Sequence, residues 1–119
     1  ENQANDDKII KLVPVSHCDV INESCILKAG DFEVNVFDKK GMTTVNSTFP
    51  LDTATLFLVD KENNSKQYQL GMIESPYYWH TRTNLRSLVG EKGESYKIRL
   101  IINIKGGRYI AEFYTQTTK

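Results

Sequence analysis

The chain has 119 residues, 39% of them hydrophobic, and its fifteen basic and fifteen acidic side chains cancel to a formal net charge of zero. A neutral chain has no long-range pull toward nucleic acid or anionic lipid, so nucleic-acid binding is not expected. No apolar run approaches the ~18 residues of a membrane-spanning helix, and the length suits a two-layer core in one domain.

Residues 1–7 (E-N-Q-A-N-D-D) are polar and patternless and are expected to form a disordered N-terminal tail, with residues 8–119 as a single β domain. The tail suits a stalk left after a signal peptide or an N-terminal anchor has been removed. Lys8 to Val15 is a short run rich in β-branched residues. Pro14 cannot donate to a ladder, which marks this run as an edge strand or a strand end.

Cys18 and Cys25 are the two cysteines, with six residues between them. The spacing is too wide for a C-x-x-C redox motif, and four zinc ligands do not gather around it. A structural disulfide closing an eight-residue ring is the preferred reading, and it implies an oxidising compartment. Two free buried cysteines, or a metal held by Cys18, Cys25 and His17, are the alternatives.

Ile26 to Lys28, a break at Ala29-Gly30-Asp31, and Phe32 to Asp38 form the next unit, with Phe32, Val34 and Val36 on one face against Glu33, Asn35 and Phe37. Lys39-Lys40-Gly41 ends it as a turn. Met42 to Leu51 is undecided: its threonines suit a pleated surface, while Pro50 and the Ser/Asn content suggest an extended edge or a loop. Thr53 to Val59 reads as a central strand, apolar on both faces in its second half. Asp60 to Lys66 is a charged hairpin loop. Gln67 to Ile73 alternates, with Tyr68, Leu70 and Met72 on one side. Tyr77 to Leu85 alternates again: Tyr77, Trp79, Thr81, Thr83 and Leu85 lie on one face, and Tyr78, His80, Arg82 and Asn84 on the other. Arg86 to Val89 is expected to add a turn of 3₁₀ helix.

Ser95 to Thr115 is the clearest element, two alternating runs around Gly106-Gly107. With those glycines as a two-residue type I′ turn, Ile104 faces Tyr109, Ile102 faces Ala111 and Leu100 faces Phe113. The apolar face then runs from Tyr96 to Ile104 and from Tyr109 to Thr115. Ile101 and Ile110 fall on the opposite, charged face as diagonal neighbours.

Short strands with turn signals every 8–12 residues predict an all-β fold, an antiparallel immunoglobulin-like sandwich of seven to eight strands. The alternative is a small eight-stranded lipocalin-like barrel with an apolar cavity. No G-x-S-x-G elbow, H-E-x-x-H pair, P-loop or dinucleotide glycine pattern occurs, so the chain is not expected to be an enzyme, and neither a cofactor nor a metal is expected. The contact candidates are Tyr78, His80 and Arg82, projecting from the aromatic strand, and Ile101 and Ile110, an apolar spot on a charged surface.

Cys18 to Gly30, C-D-V-I-N-E-S-C-I-L-K-A-G, with the strand around Phe32 to Val36, resembles the start of small exported bacterial β-sandwich proteins considered alongside copper chaperones and cytochrome-oxidase assembly factors. Leu70-Gly71-Met72, Trp79, Leu85 and the final hairpin fit the same plan. The resemblance implies an exported sandwich. It is not taken to imply a metal, because the methionine-rich segment of such proteins is reduced here to Met72 and their later cysteine is absent.

These readings converge on a non-enzymatic binding domain of a periplasmic or extracellular space. Its expected role is protein–protein interaction in a bacterial envelope assembly or signalling complex associated with the membrane. The alternative role is a barrel that binds a small lipid-like ligand, shared in one version with a partner chain.

Overall fold

A computed structural model describes residues 8–119, so the expectation of a disordered tail over residues 1–7 lies outside the described residues. The fold is all-β apart from one helical turn. Its strands are β1 (Ile9–Lys11), β2 (Val13–Pro14), β3 (Cys25–Ala29), β4 (Phe32–Lys39), β5 (Met42–Ser47), β6 (Thr53–Val59), β7 (Ser65–Gln69), β8 (Gly71–Ile73), β9 (Ser75–Arg82), β10 (Ser95–Ile104) and β11 (Gly107–Gln116). The helical turn, α1 (Leu85–Leu88), follows β9. One sheet has five strands in the order β1-β11-β10-β6-β7, and the other has six in the order β2-β3-β4-β5-β9-β8.

Period-two alternation places the core between the sheets. Leu27, Phe32, Val34, Val36, Val45 and Trp79 come from the six-stranded sheet, and Leu56, Leu58, Ile98, Leu100, Ile102 and Phe113 from the five-stranded one. The Phe32 and Tyr109 rings, 4.6 Å apart between centroids, meet across the two layers. This is a two-sheet sandwich.

Both flanks are joined by a strand that changes sheet at one buried leucine. At Leu12 the chain leaves the parallel pairing of β1 with β11 and enters the antiparallel pairing of β2 with β3. The Leu12 N–H donates to Ile110 O at 2.9 Å, and the Val15 N–H donates to Ile26 O at 3.0 Å. At Leu70 the chain passes from β7 in one sheet to β8 in the other, and the Leu70 N–H donates to Ala54 O at 2.9 Å. The corners link the sheets through the backbone, yet among the described residues no hydrogen-bond ladder runs from one sheet to the other. The barrel alternative is therefore corrected to an open sandwich.

Several local expectations change with this topology. The described residues form eleven strands rather than seven or eight, because each corner divides one run into two short strands and Met42–Ser47 is a strand. All pairings are antiparallel except that of β1 with β11. The undecided Met42 segment lies inside its sheet between β4 and β9. Its inward Thr43 is tolerated because the hydroxyl bonds Asp38 Oδ2 at 2.8 Å. Pro50 lies in the connection between β5 and β6, not on an edge strand. Met72 does not share the face of Tyr68 and Leu70, being 55% exposed once the chain has turned at Leu70. The turn after β9 is α-helical rather than 3₁₀.

The final hairpin turns one residue earlier than expected. Lys105 and Gly106 carry positive φ angles of 38° and 83°, so Ile104 pairs with Gly107, Ile102 with Tyr109 and Leu100 with Ala111. Each partner moves by two residues, and a two-residue shift preserves the faces. Ile101 and Ile110 consequently stand directly opposite one another rather than diagonally.

Candidate functional site

The outer face of the six-stranded sheet carries aligned rows of side chains. One row runs Phe37–Thr44–His80–Gly71, flanked by Lys39–Met42–Arg82 and by Asn35–Asn46–Tyr78. Large side chains surround the short Thr44, and Gly71 adds none at the sheet edge. A groove of about 410 Å³ results, lined by Phe37, Lys39, Lys40, Met42, Thr44, Ile73, Tyr78, Trp79 and His80. Thr44 itself is buried, so its neighbours stand well above it. The volume falls within the range of small-molecule sites, about 300–1,000 Å³.

The groove's charged end is held from within the sandwich. Lys40 and Gly41 form the β4–β5 turn with positive φ angles of 54° and 91°. Behind it, Asp38 Oδ1 accepts from the Gly41 N–H at 2.9 Å and from Arg86 Nε at 2.7 Å. Arg86 Nη2 also donates to the Asp38 carbonyl at 2.9 Å. The carboxylate is spent inside this lock, and the turn presents Lys39 and Lys40 outward. Among the described residues no acidic side chain lines the groove.

Of the residues singled out by sequence, Tyr78 and His80 line this groove together. Arg82 stands beside it, with Nη1 directed to Lys40 O at 3.3 Å. Trp79 faces the core as expected, its Nε1–H donating to Pro76 O at 2.8 Å. Phe37, Met42, Thr44, Ile73 and the two lysines are lining residues that the sequence reading did not count among the contact candidates. Phe37 left a trace, as the one large apolar residue on the polar side of β4. The others could not be aligned with it while Met42–Ser47 was undecided.

Ile101 and Ile110 belong to the other outer face, that of the five-stranded sheet. They are half-buried there beside the Arg99–Glu112 ion pair, in which Arg99 Nε lies 2.8 Å from Glu112 Oε2. The Arg99 hydrogen bond holds the Glu112 carboxyl below the usual range. Ile110 also borders a second groove of about 480 Å³ along the Leu12 corner, with Ile9, Lys11, Leu12, Val13, Pro14, Arg99 and Glu112. The five candidates thus divide between two surfaces on opposite sides of the sandwich.

Cys18 and Cys25 form a disulfide with their Cα atoms 4.5 Å apart, which removes both the free-thiol and the metal-ligand alternatives. His17 Nε2 instead lies 3.3 Å from Gln116 O. The ring is a junction. Asp19 within it accepts hydrogen bonds from the Thr118 N–H at 2.9 Å and hydroxyl at 2.7 Å, and from Asn22 Nδ2 at 3.0 Å. Burial works to raise the Asp19 carboxyl, and the bonds from Thr118 and Asn22 override it and hold it well below the usual range. Among the described residues no three His, Cys, Asp or Glu side chains converge as a metal-binding set.

Compared with protein-family models, with curated proteins and with solved structures, the chain matches none.

Proposed function

We propose that this is a non-enzymatic binding domain of an oxidising compartment, periplasmic or extracellular, and that its ligand seat is the groove on the outer face of the six-stranded sheet. The groove carries the reading: it combines an aromatic and aliphatic lining, a polar floor at Thr44 and a volume suited to a small ligand. The disulfide supports the compartment, since such bonds persist where thiols are not kept reduced. The resemblance of the Cys18–Gly30 stretch to small exported sandwich proteins points the same way. No helix among the described residues is long and apolar enough to cross a membrane.

The test is a screen of small apolar fragments against the ¹⁵N-labelled protein. Amide shifts clustered at Phe37, Thr44, Ile73, Tyr78 and His80 are expected. Shifts scattered over both faces, or confined to the five-stranded sheet, sink the reading.

A second reading, contact with a protein of an envelope assembly or signalling complex, draws on the opposite face. Ile9 and Val13 are 59% and 53% exposed beside Ile110, which leaves an apolar strip along the Leu12 corner. A photo-crosslinking residue at position 110 is expected to trap that partner, whereas one at position 78 is not. Equal trapping from both positions counts against a face-specific contact.

A further inference from the structure

We infer that the groove selects an apolar ligand bearing one anionic head group, a small amphiphilic carboxylate. The inference rests on the groove being the ligand seat and adds the chemistry of its occupant. The chain as a whole is neutral, yet among the described residues the charged ones lining this groove are Lys39 and Lys40. Arg82 adds a third cation at the Lys40 carbonyl. The nearest carboxylate on β4, Asp38, points inward and is already paired with Arg86. The next one on the outer face of that strand, Glu33, lies 3.9 Å from Lys28, and neither residue lines the groove. Glu74 adjoins Ile73 in sequence but does not line the groove either.

The division of the lining follows the same logic. Phe37, Met42, Ile73 and Tyr78 form the apolar part, and the β4–β5 turn supplies the cationic end. A flat hydrocarbon body can rest against the Phe37 and Tyr78 rings over Thr44 while its carboxylate meets the two ammonium groups. An amine of the same shape would set like charges together, and a neutral analogue would leave the lysines without a counter-charge. Exposed lysine–carboxylate pairs each contribute only modestly. Selection between head groups therefore comes from attraction at one sign and repulsion at the other.

Naphthalene-2-carboxylate and 2-naphthylmethylamine, with a common ring system and opposite charge, test this on the intact protein. Binding is read by amide shifts and by the fluorescence of Trp79, the single tryptophan. The carboxylate is expected to shift Phe37, Lys40, Thr44 and His80 and to bind about tenfold more tightly than the amine at low salt. That preference should shrink as salt is added. In the variant Lys39→Glu/Lys40→Asn the preference should disappear or reverse. Asn is chosen at position 40 because it suits the left-handed backbone there, and an unchanged melting temperature confirms that the variant is folded. Equal affinity of the two probes, with shifts still centred on the groove, overturns the anion preference and leaves the groove standing as a ligand seat. Failure of both probes to move any lining residue overturns the ligand seat as well.

Discussion

Arg86 Nε lies 2.7 Å from Asp38 Oδ1, so the single helical turn grips the end of β4 through a carboxylate whose side chain is wholly buried. The pair also fixes the lysine turn beside the groove. Removing the cation leaves a buried charge supported only by the Thr43 hydroxyl and the Gly41 N–H. Arg86→Met is expected to cost about 3 kcal/mol in urea unfolding, the low end for a broken buried pair, because the arginine side chain is 41% exposed. Adding Asp38→Asn should recover part of that loss. A double variant no more stable than Arg86→Met alone would show that the uncompensated charge is not the cause.

The disulfide gives a second measurable contribution. An eight-residue ring stabilises by about 2–3 kcal/mol in the chain-entropy treatment. Cys18→Ser/Cys25→Ser is expected to lose that much in chemical denaturation. Both sulfurs are buried, so a maleimide reagent should label the protein only after reductant and denaturant act together. Labelling by denaturant alone would contradict the bond.

Asp19 predicts the acid behaviour. Its folded-state carboxyl is depressed by the Thr118 and Asn22 hydrogen bonds against the opposing effect of burial. Such a group contributes stability that is fully present above the unfolded aspartate value of about 3.9. The contribution is lost as pH falls through the folded value. Asp19→Asn should therefore be less stable than the parent near neutrality and should converge with it in strong acid. Circular dichroism melts at stepped pH would read this, and a constant gap across the acid range would exclude the assignment.

The hairpin turn offers a stabilising change. Lys105 adopts the left-handed region, which costs a residue with an ordinary Cβ about 1–2 kcal/mol. Lys105→Asn creates the Asn-Gly pair that type I′ turns favour and keeps the backbone N–H that donates to Asp52 Oδ2 at 2.7 Å. A gain of about 0.5–1 kcal/mol is expected, read as a higher melting temperature. Gly106→Ala, at a φ of 83°, should move it the other way.

The legible parts of this fold are those where alternation alone decides. The inward faces of β4, β6, β10 and β11 follow from Phe32/Val34/Val36, Leu56/Leu58, Ile98/Leu100/Ile102 and Ala111/Phe113, because burial on one side separates the residues into two classes. What alternation cannot resolve is a shift by an even number of residues. The hairpin could therefore turn at Gly106-Gly107 or at Lys105-Gly106 with the same faces, and the contact of Asp52 with the Lys105 N–H lies fifty-three residues away in sequence. Nor does it mark a corner: Tyr68, Leu70 and Met72 keep perfect period while the chain passes from one sheet to the other. Alternation leaves Met42–Ser47 undecided because two of its three inward positions, Thr43 and Ser47, are polar and are accepted only through partners that the assembled fold supplies. The groove was half legible for that reason. Tyr78 and His80 stand out within one aromatic strand, but their neighbours across β5 and β4 depend on register.

The Leu12 corner has a bearing on how the molecule is made. Ile9 and Lys11 find their backbone partners on Arg108 and Ile110, about a hundred positions further along. The opening segment cannot settle until the closing hairpin exists, and pairings of such long range are slow to form. A chain truncated before Gly107 would leave its first strand with nowhere to bind. Synthesis and assembly thus run in opposite senses between these two strands: β1 is made well before β11, the strand it must wait for.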